Sequence, residues 1–275
     1  MNSHRLFLLP LLSFPYWLWN DAVGGSHLPA GNLLPLLYVA LAFSAFVAAG
    51  WWLFGVDCPE QRRDWIFRCL WGCFGGMGIL YLVMLLMDSP LVAGSLFGLP
   101  ITLLLKSAGM ADAVKDANAF PLWASVVGYT IGVGMSEEFS KAAAANPDTL
   151  GMLRERAAQG FASGVGFGLA EAVLYSLRDY ADESPWQMYF IRFTFCVGFH
   201  GAMSAIGVLC LPDDWKDRTE WIKTALCLLP IAWLHGLYDA LLVHEYRCWA
   251  GVVACLVLVG LPAFMWWKEE IAGDA

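Results

Sequence analysis

Charge is scarce in this sequence. Asp, Glu, Lys and Arg make up 15% of its 275 residues, where a soluble domain carries about 25%. That deficit, with 59% hydrophobic residues and a mean hydropathy of +0.58, excludes an ordinary water-facing surface and points to lipid as the solvent. Basic clusters are also missing. With 16 Lys+Arg against 24 Asp+Glu and a formal net charge of −8, the chain offers no phosphate-binding track, so nucleic acid is excluded as a partner. No low-complexity segment or soluble domain interrupts the pattern, and residues 1–275 read as one integral membrane domain.

Several familiar catalytic signatures are absent too. There is no HExxH, no GxSxG elbow and no pair of intramembrane aspartates, since Asp239 stands alone within its apolar run. Of the eight cysteines, Cys69 and Cys73 share a helix face, but no partner CxxC or CxxH completes a metal site. They read as small buried hydrophobes.

What the sequence does have is long apolar runs. A spanning helix needs about 20 such residues. Runs fall at 33–54, 65–87, 121–146, 160–177, 188–211, 221–243 and 248–267. Residues 6–19 add an eighth, read as a retained span because no small-x-small cleavage site follows. Residues 91–106 are short, contain Pro100, and read as re-entrant. Trp17, Trp19, Trp51, Trp52, Trp266 and Trp267 sit near run ends, as interfacial belts require. The expected fold is an all-α polytopic transmembrane bundle of about eight spans. Both termini then share a side with Arg5, Arg62, Arg63, Arg154, Arg156, Lys216, Arg218 and Lys268. Lys106, Lys115, Arg178 and Arg247 lie opposite. The positive-inside rule makes the termini cytoplasmic.

Ionisable residues inside spans are expensive and mark function. Here they occur in four consecutive predicted helices, within a core at 121–243. In the first, Glu137 and Lys141 are spaced i,i+4 and pair on one face, which leaves Glu138 free. In the second, Gly160, Gly164 and Gly168 form a small-residue stripe that admits a close helix neighbour. Glu171 lies nearly on that stripe, followed by Tyr175. The third carries Arg192 and His200, eight residues apart, with Ser204 continuing the face. The fourth carries His235 and Asp239 at i,i+4, where the carboxylate can orient the imidazole.

Counted from the common side of these antiparallel helices, the groups lie roughly 12–21 Å deep at about 1.5 Å per residue, consistent with one polar layer. Such a layer permits two hydrolytic chemistries. A glutamate can act as general base for water while a histidine stabilises the oxyanion. Alternatively, His200, His235 and a carboxylate such as Glu171 can hold zinc, with a second glutamate taking the water proton. In either, Glu138, His200 and His235 carry the chemistry and Glu137 and Lys141 set its electrostatics. Glu171 is then a ligand or second acid, and Asp239 orients His235.

Four motifs in order now resemble a known family. They are Glu137-Glu138-x-x-Lys141, the glycine-rich stretch to Glu171 and Tyr175, Arg192 with seven residues before His200, and His235-Gly-Leu-Tyr-Asp239. Over about Gly132 to Leu242 the chain resembles the PrsW intramembrane proteases, relatives of the CAAX prenyl endopeptidases and Abi immunity proteins. The resemblance implies an endopeptidase of the bacterial inner membrane acting on membrane-anchored proteins, an anti-sigma factor being one precedent. It leaves glutamate and metal chemistry equally open. One departure is Ala172, where the family often has Asn; if that amide helps bind an oxyanion, this chain supplies another donor or is impaired. Two other classes fit the same polar layer. One is a proton- or cation-coupled transporter, although no internal repeat relates two halves. The other is a non-catalytic scaffold or immunity protein.

Overall fold

A computed structural model describes residues 33–76, 78, 121–145, 152–178, 186–212, 217 and 220–273. Among these, every regular element is helical. Helix α1 spans Leu33–Phe54 and α2 spans Pro59–Trp71, running into a π turn at Gly72–Gly76. Helix α3, Leu122–Tyr129, passes through a π turn at Thr130–Gly134 into α4, Met135–Ala145. Helix α5 is Leu153–Arg178. Helix α6, Trp186–Ile191, continues through a third π turn at Arg192–Cys196 into α7, Val197–Cys210. Helices α8, Trp221–Val243, and α9, Arg247–Gly273, complete the set.

Four stretches are long and apolar enough to cross a membrane: Leu37–Phe54, Tyr189–Cys210, Ile222–Val243 and Arg247–Trp267. The protein is therefore an integral membrane protein with an all-helical fold. The expected spans at 121–146 and 160–177 fall on described helices, α3–α4 and α5, that are not among those four. The expected segments 6–19 and 91–106, and the C-terminal part of 65–87, lie outside the described residues, as do Trp17 and Trp19.

Local chemistry sets the helix ends. Gly55, at φ +64°, takes the left-handed conformation that ends α1. The Val56 N–H then donates back to the Trp51 carbonyl at 2.9 Å. Pro59 starts α2 at a position where its missing N–H costs nothing. Large apolar side chains point outward along α3–α4 (Trp123, Val127, Ile131, Phe139) and α8 (Ile222, Leu226, Leu229, Trp233). An apolar exterior is what lipid requires. Trp52 is exposed at the end of α1, and Trp266 and Trp267 at the end of the apolar stretch Arg247–Trp267, as a belt demands. Trp51 instead packs under Arg62, whose guanidinium carbon lies 4.9 Å from the ring centroid.

Helix α5 is the central post, packing along α7 and against α1, α2 and α4. Its glycine stripe explains the closeness. A Cβ on Gly160 would lie 2.7 Å from the Ser204 carbonyl oxygen, and one on Gly164 would collide with that of His200. A Cβ on Gly168 would come within 3.0 Å of the His200 ring. Residue 160 meets 204 and residue 168 meets 197, so α5 and α7 are antiparallel. Likewise Gly134 abuts Ala232 and Gly236 abuts Thr130, so α8 runs antiparallel to α3–α4. The other face of α5 is equally tight, with Gly166 against the Cys69 carbonyl. Cys69 is buried and all described cysteines are free, consistent with a packing role.

Candidate active site and metal-binding group

These close crossings bring the four expected polar groups into contact. The Lys141 side chain is fully buried. Its ammonium donates to Glu138 Oε1 at 2.8 Å, meets His200 Nδ1 at 2.8 Å, and lies 3.2 Å from Glu137 Oε2. Its remaining side faces the Phe167 ring, 4.6 Å from the centroid. Spacings of three and four residues both place a partner beside Lys141. Glu138 is therefore not the free acid that the i,i+4 pairing suggested. Its Oε1 also accepts from His235 Nδ1 at 2.8 Å.

The partners fix both imidazole tautomers. An ammonium can only donate, so His200 Nδ1 accepts from Lys141 and its Nε2–H donates to Glu171 Oε2 at 2.7 Å. His235 donates through Nδ1 to Glu138, so in the neutral ring the Nε2 lone pair faces the site. That nitrogen lies 3.6 Å from Glu137 Oε2 and 3.6 Å from Asp239 Oδ2. At this distance Asp239 faces His235 without a hydrogen bond. The hydrogen-bonded carboxylate on His235 is Glu138, not the Asp239 expected from spacing. Arg192 reaches the same cluster, 3.9 Å from Glu171 Oε1.

A metal-capable group emerges among the described residues. Glu137, His200 and His235 each offer a donor atom, all within 4.8 Å of one another. Glu171, expected as a ligand or second acid, lies 2.7 Å from His200 Nε2 and is not among these three. Three observations test whether a divalent metal fits. Glu137 Oε2 is buried without a hydrogen bond, its Lys141 contact lying off the hydrogen-bond direction. Four carboxylates (Glu137, Glu138, Glu171, Asp239) face two cations (Lys141, Arg192), which leaves negative charge in excess. Tetrahedral zinc with ligands at about 2.0–2.1 Å needs donors roughly 3.4 Å apart. Two pairs stand at 3.6 Å and 4.0 Å and all three donors lie within 4.8 Å, so the group must close by up to roughly 1.4 Å around a metal. The residues fit.

Exposure falls with depth. The side chains of Asp239, Glu171 and Arg192 are 23%, 15% and 13% exposed, while Glu138 is 1% and Lys141 0%. The more exposed members lie toward the ends of α5 and α8 and the start of α6–α7. Other contributors carried no charge to flag them. Phe167 supplies the ring under Lys141. Ser163 Oγ donates to the Lys141 carbonyl at 2.8 Å, tying α4 to α5. Phe199 lies edge-on to both histidines. Ala172 is fully buried. The Tyr175 side chain lies outside those described.

No curated protein and no solved structure matches the chain. A family model described as PrsW family intramembrane metalloprotease does match, over residues 84–267. That span covers well over half of the sequence and includes every residue of the polar cluster, and the chain belongs to this family of intramembrane proteases.

Proposed function

We propose that the protein is a metal-dependent intramembrane endopeptidase in which Glu137, His200 Nδ1 and His235 Nε2 hold a zinc ion. The observation that carries this reading is the three-donor group in which each histidine has a carboxylate on its other nitrogen. Such outer carboxylates orient imidazoles and raise their basicity toward a metal. When bound, the metal supplies Lewis acidity toward the scissile carbonyl oxygen. Glu171 and Glu138 hold the ring protons of His200 Nε2 and His235 Nδ1. Asp239, the most exposed carboxylate, lies against His235 Nε2; its Oδ2 accepts the proton of the attacking water and returns it to the departing amine. Glu138, whose Oε1 serves both Lys141 and His235, positions rather than abstracts. Arg192, beside Glu171 and partly exposed, offers N–H donors to the developing oxyanion, a role that Ala172 cannot fill.

The substrate is a membrane-anchored protein, with an anti-sigma factor among the candidates. The chain sits in the bacterial inner membrane with cytoplasmic termini and about eight spans, as charge asymmetry and the apolar runs support. Cleavage of single-span substrates by purified, reconstituted protein tests the reading. Wild type cleaves, and a strong chelator abolishes cleavage until zinc is restored. Glu137→Gln and His235→Ala lose at least about a hundredfold, the scale expected when catalytic groups are removed. Full activity under chelation would overturn the metal reading and leave glutamate-based hydrolysis.

A further inference from the structure

The Lys141 ammonium sits against two of the three donors just assigned to the metal. It touches His200 Nδ1 at 2.8 Å and lies 3.2 Å from Glu137 Oε2. The neutral His200 ring has one lone pair, on Nδ1, and while it accepts from the ammonium it is not available to a metal; Glu137 Oε2, which has no hydrogen bond, is held only by the charge of the ammonium beside it. Lys141 also has somewhere to go. Glu138 Oε1, at 2.8 Å, is not a donor in the metal-capable group, and the Phe167 ring lies on the ammonium's other side. The side chain is fully buried, so withdrawal toward Glu138 and Phe167 is a small shift rather than an escape to water.

We infer that Lys141 is a built-in competitor for the metal: its ammonium holds Glu137 and His200 together before the metal arrives, and is displaced onto Glu138 and Phe167 when it binds. This inference rests on the donor set proposed above. It goes further in assigning Lys141 a function against metal affinity, where a purely supporting residue would raise it. The competition is electrostatic as well as steric, because the retained ammonium stays within a few ångströms of a dication in a medium where charges interact strongly. A protease whose site is pre-formed around its own cation binds metal less tightly, yet keeps its buried carboxylates compensated without it.

The test is zinc retention by the purified full-length protein, dialysed against buffers of graded free zinc and assayed for bound metal. Lys141→Met removes the charge and keeps the length; Lys141→Gln removes the charge and keeps a donor, and serves if the first variant does not fold. Both are expected to bind zinc at least about tenfold more tightly than wild type. Lys141→Arg, which keeps a cation, is expected to show no such gain. Equal or weaker binding in the folded Met and Gln variants, with wild-type binding still lost in His235→Ala, would overturn the competitor role and leave the donor set standing. Zinc binding that is absent throughout, or unaffected by His235→Ala and Glu137→Gln, would overturn the donor set and this inference with it.

Discussion

At the residue scale, Glu171→Gln separates orientation from charge. The amide oxygen can still accept from His200 Nε2, so the 2.7 Å contact and the tautomer survive. What is lost is the negative charge that makes Nδ1 a stronger ligand and compensates Arg192. Zinc affinity is expected to fall by about 10–100-fold, the usual cost of an outer partner, measured by chelator competition on the folded variant. Unchanged affinity would mean that Glu171 acts only on substrate. The residues of the cluster were legible because charge in an apolar run stands out: Glu137, Glu138, Lys141, Glu171, Arg192, His200, His235 and Asp239 all meet as expected. Their pairings were not. Lys141 has acids at both i−3 and i−4, and spacing alone cannot say that it engages both. Nor can it say that Glu138 reaches across to His235, because that contact is set by how α4 and α8 cross.

At the element scale, helix closeness sets the geometry. Gly164→Ala would drive a methyl group into the His200 carbonyl, and Ser204 Cβ lies 2.7 Å from the same point. Both obstacles are backbone or short side chain, so neither swings aside. The α5–α7 pair must separate, at a cost of about 1–3 kcal/mol typical of overpacking, and His200 moves away from Glu171. Gly251→Ala is the control: it lies on α9 with nothing within 4 Å of the new methyl, and gains up to about 0.5–1 kcal/mol from helix propensity. Thermal unfolding in detergent should therefore shift down for the first and level or up for the second, with zinc binding weakened only in the first. The glycine stripe made the crossing legible, and the polar layer showed that four helices share it. The π turns were invisible. At 3.6 residues per turn, eight residues overshoot two turns by about 80°, so Arg192 and His200 would diverge on a regular helix. The π turn at Arg192–Cys196 takes up more residues per revolution, and both side chains reach Glu171. Nothing in the residue types Arg-Phe-Thr-Phe-Cys announces that extra residue.

At the scale of the whole molecule, helix polarity fixes which side of the membrane feeds the site. The α5 start, the α7 end and the α8 start lie together, because Gly160 meets Ser204 and Gly134 meets Ala232 across antiparallel pairs. The opposite side holds the α5 end, the α6 start and the turn between α8 and α9. Glu171, Arg192 and Asp239, the more exposed members of the cluster, lean toward that second side. If the termini are cytoplasmic, water and substrate reach the site from the external half of the bilayer. The protein carries its own reporter, since Cys248 is exposed immediately after the α8–α9 turn. A membrane-impermeant maleimide applied to intact spheroplasts is expected to label Cys248. In a Cys248→Ala background, Met152→Cys, at the exposed start of α5, should label only after permeabilisation. The reverse pattern would invert the topology, place the more exposed members of the cluster on the cytoplasmic side, and move the expected cleavage to the inner half of the substrate's span.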